Sequence, residues 1–164
     1  MIIYRKSKDN DRENINNLLK ICFGERENYG ALDNLEGRYL LAFENEKLVA
    51  MTGVMLSSPA FCGSEVDWTC VLPEFRGNGF VTNMLKEALK ETKCDVFCSC
   101  LRLHENDKVN LYHAMNENDF VCLIKNYKTF KKGITKACFD CVYDKGENCF
   151  CSEDLYIRRA KGCK

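Results

Sequence analysis

The chain lacks an excess of either charge, a long apolar run and an apolar stretch of signal-peptide type at its first residues, and each absence points away from a class of function. Its 24 Lys and Arg are matched by 24 Asp and Glu, for a net charge of zero. A protein built to neutralise a phosphate backbone carries a basic surplus, so no nucleic-acid partner is expected. The one local basic run, Lys125, Lys128, Lys131, Lys132 and Lys136, reads as a solvated strand-and-turn surface. No apolar segment approaches the ~20 residues that a membrane span needs. The opening Met1-Ile-Ile-Tyr-Arg5 has no apolar signal-peptide core. The expectation is a soluble cytoplasmic protein with no membrane partner. The two prolines, Pro59 and Pro73, mark no linker, and there is no repeat or low-complexity tract. The two histidines, His104 and His113, have no second acid or nucleophile at a usable spacing, so they read as loop and helix-surface residues.

What remains is ordinary globular material: 164 residues, 46% hydrophobic and 29% charged. That length suits one domain with its own core, spanning 1–164. Cysteine is the exception, at twelve. Cys22, Cys62, Cys70, Cys94, Cys98, Cys100 and Cys122 lie in or beside apolar runs, where a reduced thiol packs as a small hydrophobe. A second group, Cys138-x-x-Cys141 and Cys149-x-Cys151, falls in an excursion at about 131–150, with Cys163 near the end. Cys-x-x-Cys is a common zinc half-site and Cys-x-Cys a poorer one. Reduced free thiols are the expected state, with a four-cysteine zinc cluster as the alternative.

The most informative stretch runs from Glu65 to Leu85. Glu65 to Leu72 reads as a strand, ended by Pro73, which cannot donate to a ladder. Phe80, Val81, Met84, Leu85, Ala88 and Leu89 recur at helical spacing and predict a helix to about Thr92. Between them lies Arg76-Gly77-Asn78-Gly79. Glycines there permit positive φ and close approach of backbone to a ligand. The helix start adds unpaired N–H groups and a positive dipole end. Strand, Gly-rich turn and helix N-terminus together form a cradle for phosphate. No lysine follows Gly79, so this is not a Walker A loop, and the glycine spacing is wrong for a dinucleotide fingerprint.

Along the rest of the chain, Ile2 to Tyr4 predicts a strand. Asn10 with Glu13 predicts a capped helix with Ile15, Leu18, Leu19 and Cys22 inward and Gly24 at its end. Glu25 to Leu35 predicts a short helix or loop. Arg38 to Glu44 and Lys47 to Leu56 predict a hairpin about Asn45-Glu46. Further strands are expected over Asp95–Leu101, Phe120–Phe130 and Phe150–Arg159, with a helix over Lys108–Asn118.

Pro73-x-x-Arg76-Gly77-x-Gly79 after an acid-bearing strand, set in this order of elements, resembles the GCN5-related N-acetyltransferase (GNAT) superfamily. The resemblance covers almost the whole chain. It implies the α/β acyl-CoA N-acyltransferase fold: a mostly antiparallel mixed sheet of six to seven strands, splayed in a V, with helices on both faces. It further implies that acetyl-CoA enters the V and gives its acetyl group directly to a primary amine of a small molecule or peptide. The alternative is a non-catalytic CoA-binding or metal-stapled interaction module on the same fold. A homodimer is common in the family, although nothing in this sequence specifies one.

The resemblance also assigns residues. Backbone N–H groups of Arg76, Gly77, Asn78, Gly79, Phe80 and Val81 would hold the pyrophosphate, with the Thr82 hydroxyl beside them. Val81 stands where the family's loop usually carries a second small residue. The backbone of Cys70, Val71 and Leu72 would pair with pantetheine and supply an oxyanion donor. Asn106 matches an asparagine that contacts pantetheine in relatives. For the base, Asp67 is preferred over Glu65; simple alternation puts Glu65, Asp67, Thr69 and Val71 on one face. Leu111-Tyr112 resembles the pair whose tyrosine protonates the leaving thiolate, but the ordinary reading of Tyr112 is a half-buried structural residue.

Overall fold

The computed structural model describes residues 1–24, 32–56, 63–103, 108–109, 111–131 and 150–160. The chain opens with β1 (Ile2–Lys6) and a 3-10 turn (Asp9–Asp11), then α1 (Arg12–Phe23). The 3-10 turn that leads into α1 is tied by Asp11, whose Oδ2 accepts the Lys8 N–H at 2.8 Å. The expected Asn10–Glu13 pair does not do this. α1 buries Ile15, Leu18, Leu19 and Cys22, the face its periodicity predicts, and stops at Gly24, with φ 81°.

β2 (Tyr39–Glu44) and β3 (Lys47–Met55) form the expected hairpin. Asn45 and Glu46 both take positive φ, 47° and 66°, the twist that a two-residue hairpin turn requires. The strand expected from Glu65 to Leu72 is two pieces, β4 (Ser64–Val66) and β5 (Cys70–Val71). A 3-10 turn (Pro73–Phe75) leads through the glycine loop into α2 (Phe80–Ala88), extended by a last turn at Leu89–Glu91. Then follow β6 (Val96–Leu103), β7 (Lys108–Val109), α3 (Tyr112–Glu117), β8 (Val121–Lys131) and β9 (Phe150–Arg158). The helix expected from Lys108 thus starts four residues late, because Lys108–Val109 pairs with β6 instead.

Among the described residues the sheet runs β1-β2-β3-β4-β6-β9-β8, with β5 on β3 and β7 on β6. Every pairing is antiparallel except the short β4–β6 contact. Helices lie on both faces. One core joins α1 to Tyr39, Leu41, Met51, Cys70 and Leu72. The second joins α2 and α3 to Val96, Cys98, Cys100 and Tyr156. The resulting mixed sheet, open along part of its width, is the acyl-CoA N-acyltransferase fold.

Candidate active site

The opening in the sheet has a simple origin. β4 and β6 are joined only at Ser64/Val96 and Glu65/Phe97. Beyond that point β5 pairs with β3 alone, while β6 stays with β9 along its whole length. β7 closes on β6 again at Arg102 and Leu103. The edge of β6 from Cys98 to Leu101, about 13 Å of strand, therefore faces β5 across a gap with no ladder between them among the described residues.

A bulge at this fork changes which way the side chains point. Val54 pairs with Val66 and Met51 with Cys70, so one extra residue lies between them on the β4–β5 side. Asp67 reaches Tyr39, whereas the Thr69 hydroxyl meets Thr52 at 2.7 Å. Tyr39 pairs with Gly53 and Leu40 with Thr52, so Tyr39 and Thr52 lie on opposite faces. Glu65, Asp67, Thr69 and Val71 therefore do not share a face, and the simple alternation fails at the bulge.

The glycine loop has the geometry its sequence predicts. Gly77 and Gly79 take φ of 82° and 73°, and Gly79 caps α2. A Cβ placed on Gly77 would meet nothing within 4 Å, and one on Gly79 only the Asn83 Nδ2 at 3.9 Å. The loop thus lines open space. The Arg76 N–H bonds Pro73 O at 3.3 Å and the Asn83 N–H bonds Gly79 O at 3.1 Å. Between them, the N–H groups of residues 77–82 meet no acceptor among the described residues. Asn78 braces the loop by donating to Phe75 O at 3.1 Å. Phe80 and Val81 are buried, so the Val81 side chain faces the core and not the loop's open side.

On β5, one residue addresses the gap. The Leu72 N–H bonds Val49 O at 2.9 Å, so residue 72 faces β3. Alternation then turns both the N–H and the C=O of Val71 toward the gap. Its carbonyl accepts the Cys22 thiol at 3.4 Å and Arg76 Nε at 3.3 Å. The Cys22 thiol, hydrogen-bonded to Cys70 and close to Arg76, is drawn below its ordinary value. Burial pushes the Cys70 thiol well above its own. Arg76 therefore structures the loop as well as bringing a cation to its mouth.

The candidate acids sit at the closed end of the gap. Asp67 Oδ2 accepts Arg38 Nε at 2.9 Å, Arg38 Nη2 at 2.7 Å and the Tyr39 hydroxyl at 2.9 Å. Its Oδ1 accepts the Trp68 N–H at 2.8 Å. Glu65, half-buried, lies two residues earlier, opposite Phe97 on β6. Tyr112 is not half-buried; it is 61% exposed at the first position of α3. Asn106, Cys138, Cys141 and Cys149 lie outside the described residues, and Cys151 is half-buried on β9. Among the described residues no three metal-binding side chains cluster. Nor is any described helix long and apolar enough to cross a membrane.

Sequence reasoning missed Arg38, Tyr39 and Cys22. The partners of Asp67 are 28 and 29 positions away, beyond any local pattern. A trace was present in Gly53, since glycine within a strand marks close approach of another group.

Comparison with known proteins agrees with this geometry. Residues 3–96, more than half of the chain, match the model of the acetyltransferase (GNAT) domain. The chain belongs to the GNAT acetyltransferase family. None of the curated proteins matches it significantly in sequence. Among solved structures, it is similar to a GNAT-family acetyltransferase from Bacillus cereus, at 18% identity and TM-score 0.65, covering 98% of both chains. It is also similar to the ribosomal-protein-S18-alanine N-acetyltransferase from Escherichia coli, at 10% identity and TM-score 0.66, covering 100% of this chain and 97% of that one. A third is diaminobutyrate acetyltransferase from Paenibacillus lautus, solved with its diamino acid substrate and coenzyme A. There the identity is 13% and the TM-score 0.63, covering 98% of this chain and 95% of that one. At these identities the likeness is one of fold.

Proposed function

We propose that this chain is an acetyl-CoA-dependent N-acetyltransferase that moves an acetyl group directly from CoA to a primary amine of a small molecule or peptide. The observation that carries the reading is the pairing of an open-sided glycine cradle with a gap in the sheet beside it. The residues present fit the group: Gly77 and Gly79 leave the space before the loop clear of side chains. Diphosphate would be held by the open N–H groups of residues 77–82, helped by the dipole of α2 and the Thr82 hydroxyl; the Arg76 N–H expected among them is taken by Pro73 O. Of the expected Cys70, Val71 and Leu72, only Val71 turns its main chain to the gap, and it would pair with the pantetheine arm, with Asn106 as a further contact.

Acetyl-CoA supplies an acyl thioester open to attack by a neutral amine. The Val71 N–H faces the gap and offers a donor to the charge that develops on the acyl oxygen. An alkyl amine, with a pKa of about 10.4, must lose a proton first. Asp67 or Glu65 would take it, directly or through water. On Asp67 the less occupied oxygen is Oδ1, which takes only the Trp68 N–H. Tyr112, being exposed, is free to approach a leaving thiolate as proton donor.

Calorimetric titration with acetyl-CoA, followed by thiol release over a panel of amines, polyamines, amino acids and peptides, tests the reading. Absence of binding at high micromolar acetyl-CoA would refute it. The four hydrogen bonds already on Asp67 support a second reading, a CoA-binding module without catalysis. Turnover that disappears in Asp67→Asn would exclude that alternative.

A further inference from the structure

We propose that Tyr39 is a positioning residue of the acceptor site, holding the Asp67 carboxylate so that Oδ1 is the oxygen left to meet an acceptor amine. The inference rests on the acetyltransferase reading and adds to it a residue with no local sequence motif. Tyr39 is fully buried, and a buried phenol requires an acceptor. Among the described residues the hydroxyl finds it only in Asp67 Oδ2, at 2.9 Å.

Gly53 makes this contact feasible. It lies opposite Tyr39 in the β2–β3 ladder, and a Cβ there would stand 2.7 Å from Tyr39 Cδ1 and 3.0 Å from Cε1. No side chain could occupy that position with the ring where it is. The ring therefore lies across the bare backbone of Gly53, whose carbonyl accepts the Asp67 N–H at 2.9 Å. One residue of β3 thus fixes both the acid's main chain and the ring that steers its side chain.

The hydrogen-bond count then selects the oxygen. Each oxygen of a carboxylate offers about two lone-pair sites. Oδ2 already takes three, two of them from Arg38, whose guanidinium also lies over the Tyr39 ring at 5.1 Å. Oδ1 takes only the Trp68 N–H, a bond fixed by the bulge itself. The remaining capacity is on Oδ1. Burial and the neighbouring Asp67 charge push the Tyr39 phenol well up, so it keeps its proton and acts as donor alone. Asp67 is the first residue beyond β4, where the gap begins, so an oxygen steered here is steered at the fork.

The experiment compares the wild-type chain, Tyr39→Phe and Arg38→Lys, using whichever amine of the panel above gives the fastest wild-type turnover. Tyr39→Phe keeps the ring on Gly53 and removes one donor. Arg38→Lys keeps a charge but loses the two-pronged contact with Oδ2. Each is expected to lower kcat/KM for the amine about tenfold or more, while the calorimetric affinity for acetyl-CoA stays within error and the melting temperature falls by only a few degrees, about the cost of one hydrogen bond. A residue that served stability alone would lower the melting temperature and leave the amine's kcat/KM unchanged. Wild-type turnover with both variants within twofold of it would overturn the inference and leave the acetyltransferase reading standing. Absence of turnover by the wild-type chain would overturn both.

Discussion

Asp154→Asn is expected to cost about 3–5 kcal/mol of folding stability, the usual penalty for breaking a buried ion pair from one side. Asp154 is completely buried on β9, and Arg102 on β6 is 8% exposed. Arg102 Nε lies 3.1 and 3.0 Å from the two carboxylate oxygens, and its Nη2 donates to Oδ2. A third donor, the Asn126 N–H, reaches Oδ1 at 3.0 Å from a bulge in β8 where Asn126 takes φ 53°. Asparagine conserves the volume, so no cavity opens; what is lost is the anion facing a guanidinium with little access to water. Against a typical stability of about 5–15 kcal/mol the loss is large. At about 2–4 °C per kcal/mol for a chain of this size, melting should fall by roughly 6–20 °C. Urea unfolding with a fixed slope measures it. The exposed pair Lys90–Glu87 is the control, and Glu87→Gln there should change stability by no more than about 0.5 kcal/mol. An Asp154→Asn protein within 1 kcal/mol of wild type would refute the reasoning, as it would mean that Arg102 finds water or another anion. The paired change Arg102→Met with Asp154→Leu should recover most of the loss, because neither charge is then buried alone.

Three further outcomes are expected. Gly77→Ala should weaken acetyl-CoA binding at least tenfold by calorimetry; unchanged affinity would remove the loop from the binding site. Its cost in stability should be only about 1–2 kcal/mol, since the new Cβ meets strain at φ 82° but no neighbouring atom. On the acid side, hydrogen bonding from Arg5 holds the Asp11 carboxyl below its usual value. For Asp154, burial works upward, but Arg102 and the Asn126 N–H outweigh it and the carboxyl is also lowered. Such groups stabilise the fold fully above their unfolded values, near pH 4, and lose that contribution as pH falls through the lowered ones. Urea midpoints should therefore fall steeply below about pH 4, and less steeply in Asp11→Asn. On the alkaline side, burial pushes Tyr156 up to about 12 and Tyr39 further still. Their contribution is complete below about pH 10 and is lost as pH rises through the raised values, so stability should decline above pH 10. Tyrosinate absorbance should show two phenols ionising only at unfolding; seven ionising together near pH 10 would contradict this.

Much of the architecture could be read along the chain because it depends on neighbours in sequence. The buried face of α1, its stop at Gly24, the Asn45-Glu46 hairpin and the run from Pro73 through two positive-φ glycines into α2 follow from periodicity and turn chemistry. The cradle was legible for the same reason, since its donors belong to consecutive peptides. The acids were legible as residues but not as geometry. A one-residue bulge inside Glu65–Leu72 leaves no mark on composition, yet it puts Asp67 and Thr69 on opposite faces.

By itself, then, the sequence determined the elements, the phosphate-type loop and the family's pattern, all set by the φ/ψ preferences and apolar spacing of adjacent residues. Only the tertiary structure decided that Val71 turns its main chain into the gap, that Cys22 and Arg76 meet there, and that Tyr39 lies on Gly53 to grip Asp67. The physical reason is pairing register. Which residue faces which across two strands is fixed by the packing of the whole sheet, and a shift of one residue reverses every side chain beyond it.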